Sequence, residues 1–312
     1  MRAARLHGIG DLRIETLPDP VPGPGELLVR IEACGLCPTD LRKFTIGTSD
    51  GYPLNPGHEW LGRVEATGAD VAGWSVGDRV YGDTYAGYAD LAVLATGGNP
   101  WSHGPLAVPE DLPADRAVFI EPLADCLHAV ADQGRVTSGD RAIVLGAGQM
   151  GLQLVAAAVH AGAGVRVVEP DARRRELALG LGAEEAIAPE DFAPAGDADC
   201  VVLSIGDGSL VPACIDACAP GGRVVLFAGF GDRPLATLDL NAIHYREIAV
   251  VGSEWIGTPP NVRRERYSEA RDLLSAGLEL ERLVERTVDL AGIADAFTAM
   301  RERRLMKAVL RP

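Results

Sequence analysis

Residues 141–162 read RAIVLGAGQMGLQLVAAAVHAG. A short apolar run, Arg141 to Leu145, meets the glycine cluster Gly146-Ala147-Gly148-Gln149-Met150-Gly151, and a longer run with helical spacing follows. Glycines at the first, third and sixth positions permit a tight turn, let the backbone approach a pyrophosphate and let the helix pack on the strand. The unpaired N–H groups of the helix start then face the phosphates. The glycine pattern alone is weak, but here both flanks are present, and Glu169 closes the next apolar run 21 residues after Gly148. A carboxylate there accepts hydrogen bonds from a ribose diol and repels a 2′-phosphate, so NAD is preferred over NADP. Arg173, Arg174 and Arg175 follow. Arg174 is the candidate cofactor contact among them, although a solvated helix face also accounts for all three.

Outward from this stretch the chain alternates strand and helix. Strands are predicted at Arg141–Leu145, Val165–Glu169, Cys200–Ser204, Arg223–Ala228 and Ile248–Val251, with helices between most of them, which is an open parallel α/β sheet of dinucleotide-binding size. The first third has a different texture. Short apolar runs at Met1–Leu6, Leu27–Glu32, Gly62–Glu65, Arg79–Tyr81 and Tyr88–Val93 are punctuated by glycine and proline clusters such as PDPVPGPGE, and these read as a β-rich module. After Gly252 come a loop-like GTPPN, an amphipathic helix at Tyr267–Ala276 and a closing helix-plus-strand pattern. A length of 312 residues suits two cores.

Composition excludes several classes of function. A net charge of −15 opposes binding to nucleic acid or an anionic membrane, both of which need a basic surface. No run approaches the ~20 apolar residues of a membrane span. The first residues, MRAARLHGIGDLRIE, lack the apolar core of a secretion signal, so a cytoplasmic location is expected, with a small molecule as partner. Six unevenly spaced cysteines do not read as a disulfide framework.

Two of those cysteines stand in Cys34-Gly35-Leu36-Cys37-Pro38-Thr39-Asp40. A redox pair wants this spacing at a helix start in a βαβ unit, and a zinc knuckle wants a second cysteine pair nearby; neither context is present. What the chain supplies instead is Gly57-His58-Glu59, with His58 21 residues after Cys37, and Glu121-Pro122-Leu123 where the two textures join. A thiolate, an imidazole and a carboxylate suit Zn²⁺, and three protein ligands with one open position is the catalytic arrangement.

With these pieces in order, the sequence resembles the zinc-dependent medium-chain alcohol dehydrogenase family. The resemblance rests on PGELLVRIEACGLCPTD, NPGHEWLGRVEATGADVAGWSVGDRVYG, FIEPLADCLHAV, VLGAGQMG, PGGRVVLFAG and MKAVLRP, and spans nearly the whole chain. It implies an α/β protein of two lobes. A GroES-like β-rich catalytic domain is expected at residues 1–122 and 253–312, and a Rossmann doubly wound parallel sheet domain binding NAD at 123–252, with the active site in the cleft. Carried over residue by residue, Cys37 is the zinc thiolate, His58 the imidazole ligand and Glu121 the third ligand. Glu59 binds zinc directly or exchanges with water, and the choice between the two glutamates stays open. Asp40 orients His58, and Thr39 passes on the substrate proton. The EPL signature points to the polyol and sugar branch. The implied reaction is oxidation of a secondary alcohol of polyol, sugar or cyclitol type to a ketone. A threonine-type amino alcohol dehydrogenase is the alternative substrate class. A zinc-free NADPH-dependent quinone or enone reductase is a further alternative, and a non-catalytic nucleotide-binding protein the remaining one.

The departures from the family pattern also carry expectations. Residues 77–93, GDRVYGDTYAGYADLAV, contain no cysteine where relatives carry a four-cysteine structural zinc lobe, so one catalytic zinc per chain is expected and no structural zinc. A homodimer or homotetramer is expected. Position 42, where several relatives end the proton relay on histidine, holds Arg42, which cannot act as a base; it ends the relay elsewhere or contacts cofactor phosphate. Glu254-Trp255-Ile256 replaces the substrate-touching triplet of polyol enzymes, so Trp255 either stacks on substrate or packs within the protein. Arg263, Arg264 and Arg266 are candidates for an anionic substrate or for surface salt bridges.

Overall fold

The computed structural model describes residues 1–49, 51–98, 102–231, 233–255 and 258–312. Two compact units divide the chain. The first comprises Met1–Glu121 with Pro259–Pro312, and the second Pro122–Thr258.

In the second unit six parallel strands form one sheet, in the spatial order Glu185–Ile187, Gly164–Val168, Arg141–Leu145, Ala198–Leu203, Cys218–Leu226, Ala249–Gly252. Numbered along the chain this is 3-2-1-4-5-6, the doubly wound dinucleotide-binding order. The central strands are continuous apolar runs because helices cover both faces of such a sheet. Ile143, Leu145, Val201, Leu203 and Val224 are buried in one core with Val211 and Ile215 of the helix Val211–Ala217.

The short strand Glu185–Ile187 was not legible in the sequence, since it is only three residues long and half-exposed. The strand expected from Arg223 begins at Cys218, where Ala198 pairs with Cys218 before the register shifts. The helix Ile120–Leu127 gives way to the wider turn of a π-helix, which carries the chain from His128 to Gln133.

The first unit is built on a seven-stranded sheet. Its path runs Arg286–Val288, Ala308–Leu310, Glu26–Gly35, Glu59–Thr67, Arg79–Gly82, Leu106–Ala107, and Leu91–Ala95 pairs on Glu26–Gly35. A hairpin, Arg2–Gly8 with Asp11–Thr16, accompanies it. Residues before 121 and after 259 thus share one sheet, with Val309 and Leu310 paired to Gly35 and Cys34. Leu27, Val29, Ile31, Trp60, Val80 and Phe297 lie in its core. The helix predicted at Tyr267–Ala276 starts earlier, at Pro260. The prolines of GTPPN read as loop, but a proline in the first turn has no N–H to waste and a φ already suited to a helix.

Candidate functional site

Strand Glu26–Gly35 runs antiparallel to Glu59–Thr67 with Gly35 opposite Glu59, and this register brings the CGLCPTD stretch beside His58 and Glu59. Cys37 is the N-cap of the short helix Pro38–Thr45. Pro38 opens that helix, Asp40 lies in its acidic first turn, and Arg42 and Lys43 are in its last turn, each where the helix dipole favours it. Ligand atoms of Cys37, His58 and Glu59 converge within 4.8 Å of one another, and all three residues are buried.

Around this cluster the side chains are fixed from behind. Asp40 accepts hydrogen bonds from the backbone N–H of Gly57 at 3.2 Å and from the Tyr88 hydroxyl at 3.1 Å, and its Oδ2 lies 3.2 Å from His58 Nδ1. Burial disfavours both charges, yet the pair wins. The His58 ring is held well above the usual histidine range by Asp40 and Cys37, and Asp40 is held below the usual carboxylate range by His58 and its donors. Burial pushes the Cys37 thiol up to about 11, with the Glu59 carboxylate adding to the rise and His58 opposing it. Glu59 Oε2 accepts from the ammonium of Lys307, whereas its Oε1 is buried without a hydrogen-bond partner among the described residues.

These features fit a metal ion. A thiol, an imidazole and a carboxylate are zinc's preferred donors. The buried, unpartnered Glu59 Oε1 and a thiol that burial keeps protonated are two groups that a cation would satisfy together.

The other expected residues are distributed as follows. Thr39 is exposed on the helix beside Asp40, and Arg42 is exposed one turn further. Glu121 lies outside the three-residue cluster. Its backbone N–H donates to the Tyr81 hydroxyl at 3.2 Å, and its charge reaches the Cys37 thiol. Cys34 is fully buried in the core and is not part of the cluster. Trp255 stacks on His128, with ring centroids 4.6 Å apart, while Ile256 lies outside the described residues. His128 is itself held by Asp132 at 2.9 Å. Arg263 is buried rather than on the surface, Arg264 is exposed, and Arg266 pairs with Glu269.

Lys307 was missed by sequence reasoning. Its signal was a lone cation in the apolar run before Ala308, Val309 and Leu310. Tyr85 and Lys43 were also missed. The Tyr85 ring meets the His58 ring edge-on at 5.3 Å, and Lys43 Nζ lies 3.9 Å from the Tyr85 centroid.

In the second unit the glycine loop joins strand Arg141–Leu145 to helix Gln149–His160. Gly146 adopts φ +94°, and a Cβ on Gly151 would come within 2.0 Å of the Gly146 carbonyl oxygen, so both positions require glycine. Glu169 is buried, accepting from Ala147 N at 2.7 Å and Asp171 N at 3.1 Å. The carboxylate is therefore braced against the loop where a ribose would lie. Gln149 is buried at the helix start, with both carboxamide atoms lacking a hydrogen-bond partner among the described residues. Met150 follows it, and its carbonyl receives the Cys126 thiol at 3.6 Å. Arg174 has its backbone N–H capped by Asp171 and its guanidinium 4.0 Å from Glu169 Oε1. Arg175 turns back onto the carbonyls of Glu169 and Pro170. The bare loop, the free helix start and the braced carboxylate fit a dinucleotide.

Comparison with known proteins agrees with this geometry. Residues 23–100 match the alcohol dehydrogenase GroES-like domain, and residues 150–276 match the zinc-binding dehydrogenase domain. The (R,R)-butanediol dehydrogenase of Neisseria gonorrhoeae is 27% identical, over 81% of this chain and 84% of that protein. The sorbitol dehydrogenase of Bombyx mori is 28% identical, over 80% and 83%. Among solved structures, a Sinorhizobium meliloti protein classed as a zinc-binding dehydrogenase and bound to NADP is 26% identical. It covers 100% of this chain and 99% of its own, with a TM-score of 0.87. The chain belongs to the zinc-type medium-chain alcohol dehydrogenase family, with a GroES-like domain and a Rossmann-type domain. No helix among the described residues is long and apolar enough to cross a membrane.

Proposed function

We propose that this chain is a zinc-dependent, NAD-linked oxidoreductase that converts the secondary carbinol of a polyol, sugar or cyclitol to a ketone. Residues 1–121 and 259–312 form its catalytic domain, and residues 122–258 its cofactor domain. The observation that carries this reading is the buried convergence of Cys37, His58 and Glu59 in a chain of this family. The names of the relatives guide the substrate class, because butanediol and sorbitol both place a second hydroxyl beside the carbinol.

Zinc held by this cluster supplies a Lewis acid that acidifies the substrate hydroxyl, and the nicotinamide supplies the hydride acceptor. The chain does the rest. Cys37, His58 and Glu59, all buried, would hold the metal, and the Asp40 carboxylate, 3.2 Å from His58 Nδ1, backs the ring from behind. Thr39, exposed on the adjacent helix turn, accepts the hydroxyl proton and passes it to solvent, since Arg42 has no basic site to receive it. Glu121, near the cluster but outside it, is proposed as a ligand that moves in when the metal is loaded. Glu169 and the loop Gly146–Gly151 hold the ribose and pyrophosphate, and the Glu169 carboxylate favours NAD.

The same proposal includes cytoplasmic residence, which the unpaired state of Cys34 and Cys37 supports. It also includes a homodimer or homotetramer, supported by Leu235, Leu240 and Tyr245, which are each more than 70% exposed on the cofactor unit. Mixing zinc-loaded protein with NAD and a panel of secondary diols and polyols, and following NADH absorbance, tests the activity. NADH formed with at least one of them supports the reading. A zinc-loaded protein that oxidises no secondary alcohol refutes it.

A further inference from the structure

Gly35 ends the strand Glu26–Gly35, with Glu59 opposite it on one side and Val309 opposite it on the other. Two long side chains from these neighbouring strands meet over it. A Cβ at position 35 would run into Oε2 of Glu59 and come within 2.9 Å of Lys307 Nζ, so the missing side chain is the room in which carboxylate and ammonium pair. Lys307 is sealed into this gap. The residue is 0% exposed, its ammonium donates to Glu59 Oε2, and the centroid of the Phe119 ring lies 5.2 Å from Nζ. The carboxylate of Glu285 accepts from the backbone N–H of Met306 instead, so Glu59 is the one carboxylate hydrogen-bonded to this cation among the described residues.

The arrangement divides Glu59 between two positive centres. Oε2 is committed to Lys307, while Oε1 is buried without a hydrogen-bond partner among the described residues and the same side chain belongs to the cluster with Cys37 and His58. A divalent ion in that cluster shares the carboxylate with the ammonium, and two cations close together in a buried site repel. Lys307 therefore opposes the metal's hold on Glu59. It also gives Glu59 an ionic partner once the carboxylate leaves the metal, which avoids an uncompensated buried charge.

We propose that Lys307 is a positioning residue that keeps Glu59 a displaceable ligand: it lowers zinc affinity and leaves a place at the metal for the substrate oxygen. Gly35 belongs to the same device, since only glycine leaves the pair its room. The inference rests on the alcohol-oxidising reading above and deepens it by naming what sets the exchange of Glu59.

Two variants test it. Lys307→Gln keeps a donor for Glu59 Oε2 but removes the charge, and Lys307→Arg restores the charge. Zinc affinity is measured on metal-free protein by competition with a chromophoric chelator, and kcat/KM on zinc-loaded protein with NAD and a secondary diol. Lys307→Gln is expected to bind zinc roughly tenfold more tightly or better, yet to lose roughly tenfold in kcat/KM, with Lys307→Arg near the wild type in both. The visible spectrum of Co²⁺-loaded protein gives a readout without turnover: the diol, added without NAD, should shift it at lower concentration in the wild type than in Lys307→Gln.

A role in packing alone would weaken zinc binding and turnover together. Zinc held no more tightly by folded Lys307→Gln than by the wild type therefore overturns the inference, and so does tight binding with slow turnover in Lys307→Arg. If metal-free Lys307→Gln does not fold, it is refolded with zinc, and a kcat/KM equal to the wild type's then overturns it. Each of these results leaves the alcohol-oxidising reading intact, because the wild type is still active. A zinc-loaded wild type that oxidises no secondary alcohol removes that reading and this inference with it.

Discussion

The ammonium of Lys307 donates to Oε2 of Glu59 across 248 residues of sequence, and neither side chain is exposed to solvent. A strand-edge lysine near the C-terminus thereby holds a member of the candidate metal cluster, and it ties the last residues of the chain to the site. Burial opposes the charge on Lys307, but Glu59 and Cys37 hold its pKa above the ordinary lysine value. Removing one partner of such a pair leaves an uncompensated buried charge. Lys307→Met is expected to lower the stability of the metal-free protein by about 3–5 kcal/mol, and Lys307→Arg by less. Urea denaturation with chelator present checks this, and a Lys307→Met protein of wild-type stability contradicts it.

Asp40 would act on a metal bound at the proposed site through His58, whose Nδ1 lies 3.2 Å from Asp40 Oδ2. Asp40→Asn keeps the shape and can still accept from Gly57 N, but it loses the charge facing His58 Nδ1. Zinc affinity is expected to fall by roughly 10–100-fold with the fold intact. Competition with a chromophoric chelator measures it; an unchanged affinity would show that the Asp40–His58 contact does not bear on the metal.

Glu169 braces Ala147 of the glycine loop, and in the proposed function it also faces the ribose. In Glu169→Gln the loop N–H loses a charged acceptor, and the repulsion of a 2′-phosphate disappears. NADH affinity should fall by roughly tenfold and NADPH affinity by less, so that the ratio of the two narrows. Fluorescence titration with both cofactors tests this, and a ratio equal to the wild type's would remove Glu169 from cofactor choice.

Arg116 donates through Nε to Glu281 Oε2 at 2.8 Å, joining residues on either side of the inserted cofactor unit within one compact unit. Burial raises the Glu281 pKa, but the hydrogen bonds and charge of Arg116 outweigh it and hold the carboxyl below its ordinary value. A depressed carboxylate contributes stability that is present above the unfolded pKa and lost as pH falls through the folded one. Arg116→Ala is therefore expected to cost about 1 kcal/mol at neutral pH. The gap from the wild type should close below about pH 4. Denaturation midpoints of both proteins at pH 7 and pH 3.5 check the sign, and a gap that widens in acid would contradict it.

How much of this was legible in the sequence follows the length scale of each interaction. The Rossmann core was readable because its strands are apolar on both faces, and Arg141–Leu145 has the bounds its sequence implies. The glycine loop was readable because its sterics are local. Cys37, His58 and Glu59 were legible as donor types that suit zinc, but their convergence was not, since 21 residues separate the thiol from the imidazole and the strand register that joins them is a tertiary property. Lys307 and Tyr85 were not legible. Each meets partners that are distant in sequence, and a lysine or tyrosine has no spacing rule that reveals them. Trp255 stands out in the sequence by its position, but the ring it stacks on, His128, sits on a π-helix that no periodicity in the sequence announces.

In the proposed function Cys37, His58 and Glu59 hold the zinc on which alcohol oxidation depends. The most direct test of this is metal content and NADH production measured on the same preparations of the wild type and Cys37→Ser. One zinc per wild-type chain is expected, together with oxidation of a secondary alcohol. The variant should lose both while still binding NADH at the glycine loop. A Cys37→Ser protein that oxidises alcohol at the wild-type rate would contradict zinc binding by Cys37 as the basis of the activity.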